Sequence, residues 1–174
     1  MASPLPLTFF ILSFSLVVST SISSNEKETH LHFYFHDIVI GKSPTAMRIA
    51  QANTTDTSKT LFGALVMIDD PLTESSDLDS KLIGHAQGMY ALASQEEAGL
   101  MMAMTFSFVD QEFNGSTLVV LGRNAVFDEV REMPVIGGSG KFRFAKGYVL
   151  AKTYAFDLKT GNAVVEYDVH VRHW

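Results

Sequence analysis

From residue 30 onward, apolar side chains either recur at every second position or run on in β-branched and aromatic blocks, with turn-forming residues between the blocks. This pattern predicts eight strands, over residues 30–40, 45–52, 61–68, 81–93, 99–108, 117–123, 141–157 and 163–172. The breaks fall at Gly41-Lys42-Ser43-Pro44, Asp69-Asp70-Pro71, Asn114-Gly115, Gly137-Gly138-Ser139-Gly140 and Lys159-Thr160-Gly161-Asn162. Asn114-Gly115 is the strongest hairpin signal, because both residues tolerate the positive φ that a tight turn needs. Residues 72–80 read as a polar loop. A helix over 91–104 is unconvincing, since Gly99 interrupts it and the following residues alternate. Closely spaced strands without intervening helices predict an all-β fold, an antiparallel barrel or sandwich, of which an eight-stranded antiparallel β-barrel would leave no sheet edge exposed.

The N-terminus departs from this pattern. Residues 9–18 (FFILSFSLVV) form an apolar run of the length of a secretory h-region and too short to cross a bilayer as a helix. Small residues follow it. Residues 1–24 are therefore expected to be a cleaved signal peptide, and residues 25–174 a single domain, secreted and with no membrane segment of its own. The 174-residue chain has 47% hydrophobic and 18% charged residues, which is enough apolar material for a core, and a net charge of −6, which argues against nucleic acid as a partner. It has no cysteine, so disulfides, thiolate metal sites and a cysteine nucleophile are excluded. Behind a secretory leader, Asn53-Thr54-Thr55 and Asn114-Gly115-Ser116 become glycosylation acceptors.

Candidate chemistry is sparse. In His30-Leu31-His32-Phe33-Tyr34-Phe35-His36-Asp37 the histidines share one strand face, while Phe33, Phe35 and Asp37 share the other. His36 lies about 20 Å from His30 at strand rise, too far to close one metal site with the His-x-His pair. The expectation is a solvated or interface-facing histidine stripe and no metal. Asp37 continues the apolar face, where burial would raise its pKa and make it a general acid, unless it serves only to bind backbone at a strand end. Asp69-Asp70-Pro71 reads as a turn, since adjacent side chains on extended chain diverge. Gly138-Ser139-Gly140-Lys141 lacks the first glycine of a phosphate loop, Val135 standing in its place, and reads as a glycine-rich turn. Met101, Met102 and Met104, with Phe106 and Phe108, are either core or the lining of a pocket for an aromatic ligand.

Four ordered stretches, Phe33-Tyr34-Phe35-His36-Asp37-Ile38, residues 63–72 (GALVMIDDPL), Gly84-His85-Ala86-Gln87-Gly88-Met89-Tyr90 and residues 137–147 (GGSGKFRFAKG), resemble the plant dirigent family over nearly all of the chain after the leader. The resemblance implies a trimeric, often glycosylated barrel of the apoplast with a pocket for a phenolic small molecule and no cofactor. In such proteins a separate laccase or peroxidase makes phenoxy radicals, and the barrel imposes stereoselectivity on their coupling. The alternatives are the family's pterocarpan synthase type, which closes an isoflavanol ring by losing water, and a barrel that only carries a phenolic. Asp37 and Tyr90 match pocket positions of the family, and Arg143 and Lys146 lie on its cationic strand, where opposite parity lets at most one face inward. Phe35 and Phe106 are the expected substrate contacts. Lys146 replaces the family's usual arginine, and Lys141 follows Gly-Ser-Gly where lignan-forming members often carry an acid. That second departure moves the chain toward the subgroup that includes the pterocarpan synthases.

Overall fold

The structure, a computed structural model, describes residues 26–174. The expected leader lies outside the described residues. Nine strands follow one another: β1 (Lys27–Asp37), β2 (Ala46–Ala50), β3 (Leu65–Thr73), β4 (Leu82–Leu92), β5 (Gly99–Phe108), β6 (Thr117–Ala125), β7 (Arg131–Ser139), β8 (Lys146–Phe156) and β9 (Ala163–His173). Short 3₁₀ turns occupy Thr55–Thr57 and Gly140–Phe142. Eight strands form a closed antiparallel barrel in the order β1-β9-β8-β7-β6-β5-β4-β3, and β3 returns to β1. The expected eight-stranded antiparallel barrel is thus present. Among the described residues no helix is long and apolar enough to cross a membrane.

The strand count agrees through two compensating differences. Residues 45–52, expected as a barrel strand, give only the five-residue β2, which pairs with β3 alone and buries little beyond Ala46. Its place in the ring is taken by β7, built from residues 131–136, to which the sequence pattern assigned no element, and from most of the expected glycine turn. Pro134 stands beside the shift in register between β6 and β7, where the ladder is already interrupted, so its missing N–H costs no regular pair. Gly138 pairs with Leu118, and a Cβ there would collide with the Thr117 and Phe142 carbonyls. Glycine at 138 is thus a packing requirement within a strand.

The second correction concerns Asp69-Asp70-Pro71. These residues lie inside β3, which runs through them to Thr73. The Asp69 N–H bonds to Thr45 O on the β2 side, so the absent N–H of Pro71 falls on that same edge. There β3 changes neighbour, from β2 at Ile68 to β1 at Leu72. A proline fits at a break in pairing, and the strand continues through it.

Alternation sends Phe33, Phe106, Phe108, Leu118, Met133, Val149, Tyr167 and Val169 into the barrel, each fully or almost fully buried. Phe33 meets Phe106 edge-on at 5.1 Å and stacks on Tyr167 at 6.0 Å, and Phe106 meets Tyr167 edge-on at 5.6 Å. Truncating a ring of this kind to alanine typically costs about 3–5 kcal/mol, because the cavity is only partly filled by relaxation. This aromatic packing, with closure of the ring, stabilises a chain that has no disulfide.

Candidate functional site

Antiparallel order brings the C-terminal ends of β1, β4, β6 and β8 to the same mouth as the N-terminal ends of β3, β5, β7 and β9. Inward-facing polar side chains gather there. On β1, parity carries the inward series Phe33 and Phe35 on to Asp37. On β4, Ala86, Gly88 and Tyr90 share the inward face. A Cβ at Gly88 (φ +151°) would strike the Ala103 carbonyl, so glycine lets β4 coil tightly against β5 just below Tyr90. Tyr90 Oη donates to Asp37 Oδ2 at 3.1 Å.

Between these two strands lies β3. Its pairs with β1 are Phe35 with Leu72 and Tyr34 with Thr73. Continuing that register two residues toward the mouth sets Asp70 opposite Asp37. Asp70 is completely buried, and neither of its carboxylate oxygens has a hydrogen-bond partner among the described residues. Burial, and then the Asp37 charge, raise the Asp70 pKa to about 8, opposed by the nearby Thr45 hydroxyl. Burial raises Asp37 to about 6, opposed by the Tyr90 hydrogen bond. Between those values Asp37 is ionised and Asp70 keeps its proton, so the two carboxyls together hold one proton. Burial raises the Tyr90 phenol too, with the Asp37 charge adding to it, so it stays protonated and can donate.

A cation completes the mouth from β7. Arg131 is buried, its Nε donates to Asn124 Oδ1 at 3.1 Å and its guanidinium also donates to the Asp128 carbonyl at 3.4 Å. Burial lowers its pKa. It lies along the ladder Arg131–Ala151–Tyr167, and Tyr167 is itself buried.

Of the residues expected from the sequence, Asp37 and Tyr90 come together. Phe35 is next to them on the inner face and tilts against Tyr167 at 5.7 Å, while Phe106 lies deeper, completely buried in the aromatic core. Arg143 and Lys146 are both exposed. Lys146 pairs with Arg172 at the start of β8, roughly 30 Å along the strand from the mouth. The structure brings neither of them to the site. Asn53 and Asn114 are exposed, the latter in the β5–β6 connection. The sequence pattern overlooked Asp70 and Arg131, since proline and glycine neighbours disguised their strands. The usable signal was parity: Asp70 alternates with Ile68 and Leu72, and Arg131 with Met133 and Val135.

The arrangement sets a carboxyl that keeps its proton, a phenol and a guanidinium beside the apolar rings of Phe35 and Tyr167. The same architecture occurs in known proteins. The family model described as "Dirigent-like protein" matches residues 28–172. The chain is 50% identical over 182 aligned positions to "Pterocarpan synthase 1" of Glycine max, covering 96% of this chain and 98% of that one. It is 50% identical over 151 positions to "Dirigent protein 23" of Arabidopsis thaliana, covering 87% and 81% respectively. A solved pterocarpan synthase dirigent protein superposes with a TM-score of 0.81 at 54% identity, covering 86% of each chain.

Proposed function

The chain belongs to the dirigent family, and from that membership we propose that it binds phenolic substrates in the mouth of its barrel and imposes stereoselectivity on the coupling of phenoxy radicals, in a lignan-type reaction. The observation that carries this reading is the inward cluster of Asp37, Asp70 and Tyr90 on an otherwise apolar wall. The radicals come from a separate laccase or peroxidase. The protein's part is to hold two rings in one relative orientation, and a preference of about 2–3 kcal/mol between approach faces gives a nearly single enantiomer. Coupling leaves quinone methides. The carboxyl that holds the proton can pass it to a methide oxygen as a hydroxyl closes on the carbon.

A second reading, dehydration of an isoflavanol, is favoured by the same carboxyl proton together with the pterocarpan synthase relatives. The protonated carboxyl gives its proton to the departing hydroxyl, which leaves as water. As it leaves, the conjugated ring hydroxyl releases its proton to solvent to give the quinone methide; the neighbouring phenol oxygen attacks the methide carbon, its proton returns to the carboxylate, and the ring oxygen regains a proton from solvent. No oxidant enters this balance.

Two incubations separate these readings. With coniferyl alcohol and a laccase, the protein is expected to give an enantiomeric excess, and a racemic product counts against the first reading. With an isoflavanol and no oxidant, a pterocarpan forms only under the second. Binding without either outcome leaves a carrier.

The remaining features follow the family. The leader over residues 1–24 directs the chain to the apoplast, and glycans are carried at Asn53 and Asn114. A trimer is the proposed assembly. The surface suited to it is a row across five strands, Met47, Met67, Met89, Ala103 and Leu121, in which the methionines and the leucine are exposed.

A further inference from the structure

The histidine stripe of β1 acquires partners that the linear sequence keeps more than 130 residues away. Antiparallel pairing sets His30 opposite His170, His32 opposite Asp168 and Tyr34 opposite Glu166, all on the outer wall. His32 Nε2 lies 2.8 Å from Glu166 Oε1, and His30 Nε2 lies 2.9 Å from Asp168 Oδ1. The donor atoms of His32, Glu166 and Asp168 all fall within 4.8 Å of one another. That spacing is what three ligands about 2 Å from a common centre require. We propose that His32, Glu166 and Asp168 bind a divalent transition-metal ion that clips the first barrel strand to the last.

The chemistry and the setting support this. One imidazole and two carboxylates suit Zn²⁺, Ni²⁺ or Cu²⁺ better than Mg²⁺, which needs six oxygens in octahedral array. Three protein ligands leave a position for water. The surroundings hold the ligands in place. His30 fixes Asp168 and stacks on His170 at 4.5 Å, His170 stacks in turn on Tyr148 at 5.0 Å, and Tyr34 meets the His32 ring edge-on at 5.4 Å. The neighbouring cation is Lys152, opposite Glu166 on β8, and it forms no ion pair with Glu166. In the ring order β9 stands diametrically opposite β5, so this wall is the one turned away from the methionine row. A bound ion would join residues 134 and 136 apart in a chain that has no disulfide to do so.

The test is titration of Zn²⁺ into purified, chelator-treated protein, followed by calorimetry and by thermal melting. One Zn²⁺ per chain is expected, with a rise in Tm at saturation and none with Mg²⁺. His32→Ala, Glu166→Gln and Asp168→Asn should each weaken binding at least tenfold and abolish the Tm rise. These side chains are at least partly exposed, so the variants keep the fold. Substitution of His85, which pairs with Asp69 at 3.2 Å on another part of the surface, should change nothing. Absence of saturable binding overturns the proposal, as does binding that survives all three substitutions or falls equally with His85→Ala.

Discussion

The Tyr90 hydroxyl reaches across β3 to donate to Asp37 at 3.1 Å, and the strand it crosses carries Asp70. The hydrogen bond favours the ionised form of Asp37, and the Asp37 charge in turn favours the protonated form of Asp70. The site is therefore tuned by three side chains from three adjacent strands.

Tyr90→Phe removes the donor and keeps the ring. The Asp37 pKa should then rise above about 6, because burial is no longer opposed. In whichever assay the protein is active, the acidic limb of the pH profile should move upward. An unmoved limb would mean that Asp37 does not set it.

Asp37→Asn keeps the shape of the side chain and removes its proton exchange. Activity should fall at least a hundredfold, the usual scale for a lost acid–base group, while the melting temperature stays within a few degrees. Retained activity assigns Asp37 a structural role.

Asp70→Asn bears on stability. A carboxyl whose folded pKa is raised stabilises the fold fully below its unfolded value, near 4, and that contribution is lost as pH rises through the folded value, about 8. Wild-type stability should decline between about pH 4 and pH 8, by an amount on the order of several kcal/mol. The variant should show a much flatter profile above pH 6, leaving only the Asp37 contribution below it. Urea denaturation at a series of pH values checks this.

Arg131 and Lys146 separate the observed cationic site from the expected one. Arg131→Met should reduce activity strongly, since its guanidinium is anchored by Asn124 inside the mouth. Lys146→Ala and Arg143→Ala should leave turnover and stereochemistry within about twofold, because both side chains are exposed. Assay of the three variants side by side decides between the two placements.

The alternation of apolar residues by itself determined the all-β class, an antiparallel barrel or sandwich, and the inward face of β1 and β4. These follow from a period of two acting within single strands. From that parity Asp37 and Tyr90 were legible as facing inward. Other features depended on neighbours. Pro71 and Gly138 read as breaks, yet Pro71 sits where β3 changes partner and Gly138 where two carbonyls leave no room for a Cβ, and Pro134 lies in a strand beside a register shift. Each is compatible with a strand only because of what lies alongside, which one-dimensional pattern cannot contain. So β7, the inward Asp70 and Arg131, and the meeting of His32 with Glu166 and Asp168 were decided by tertiary structure. Strand register brings together side chains from distant parts of the chain, and no local signal encodes it.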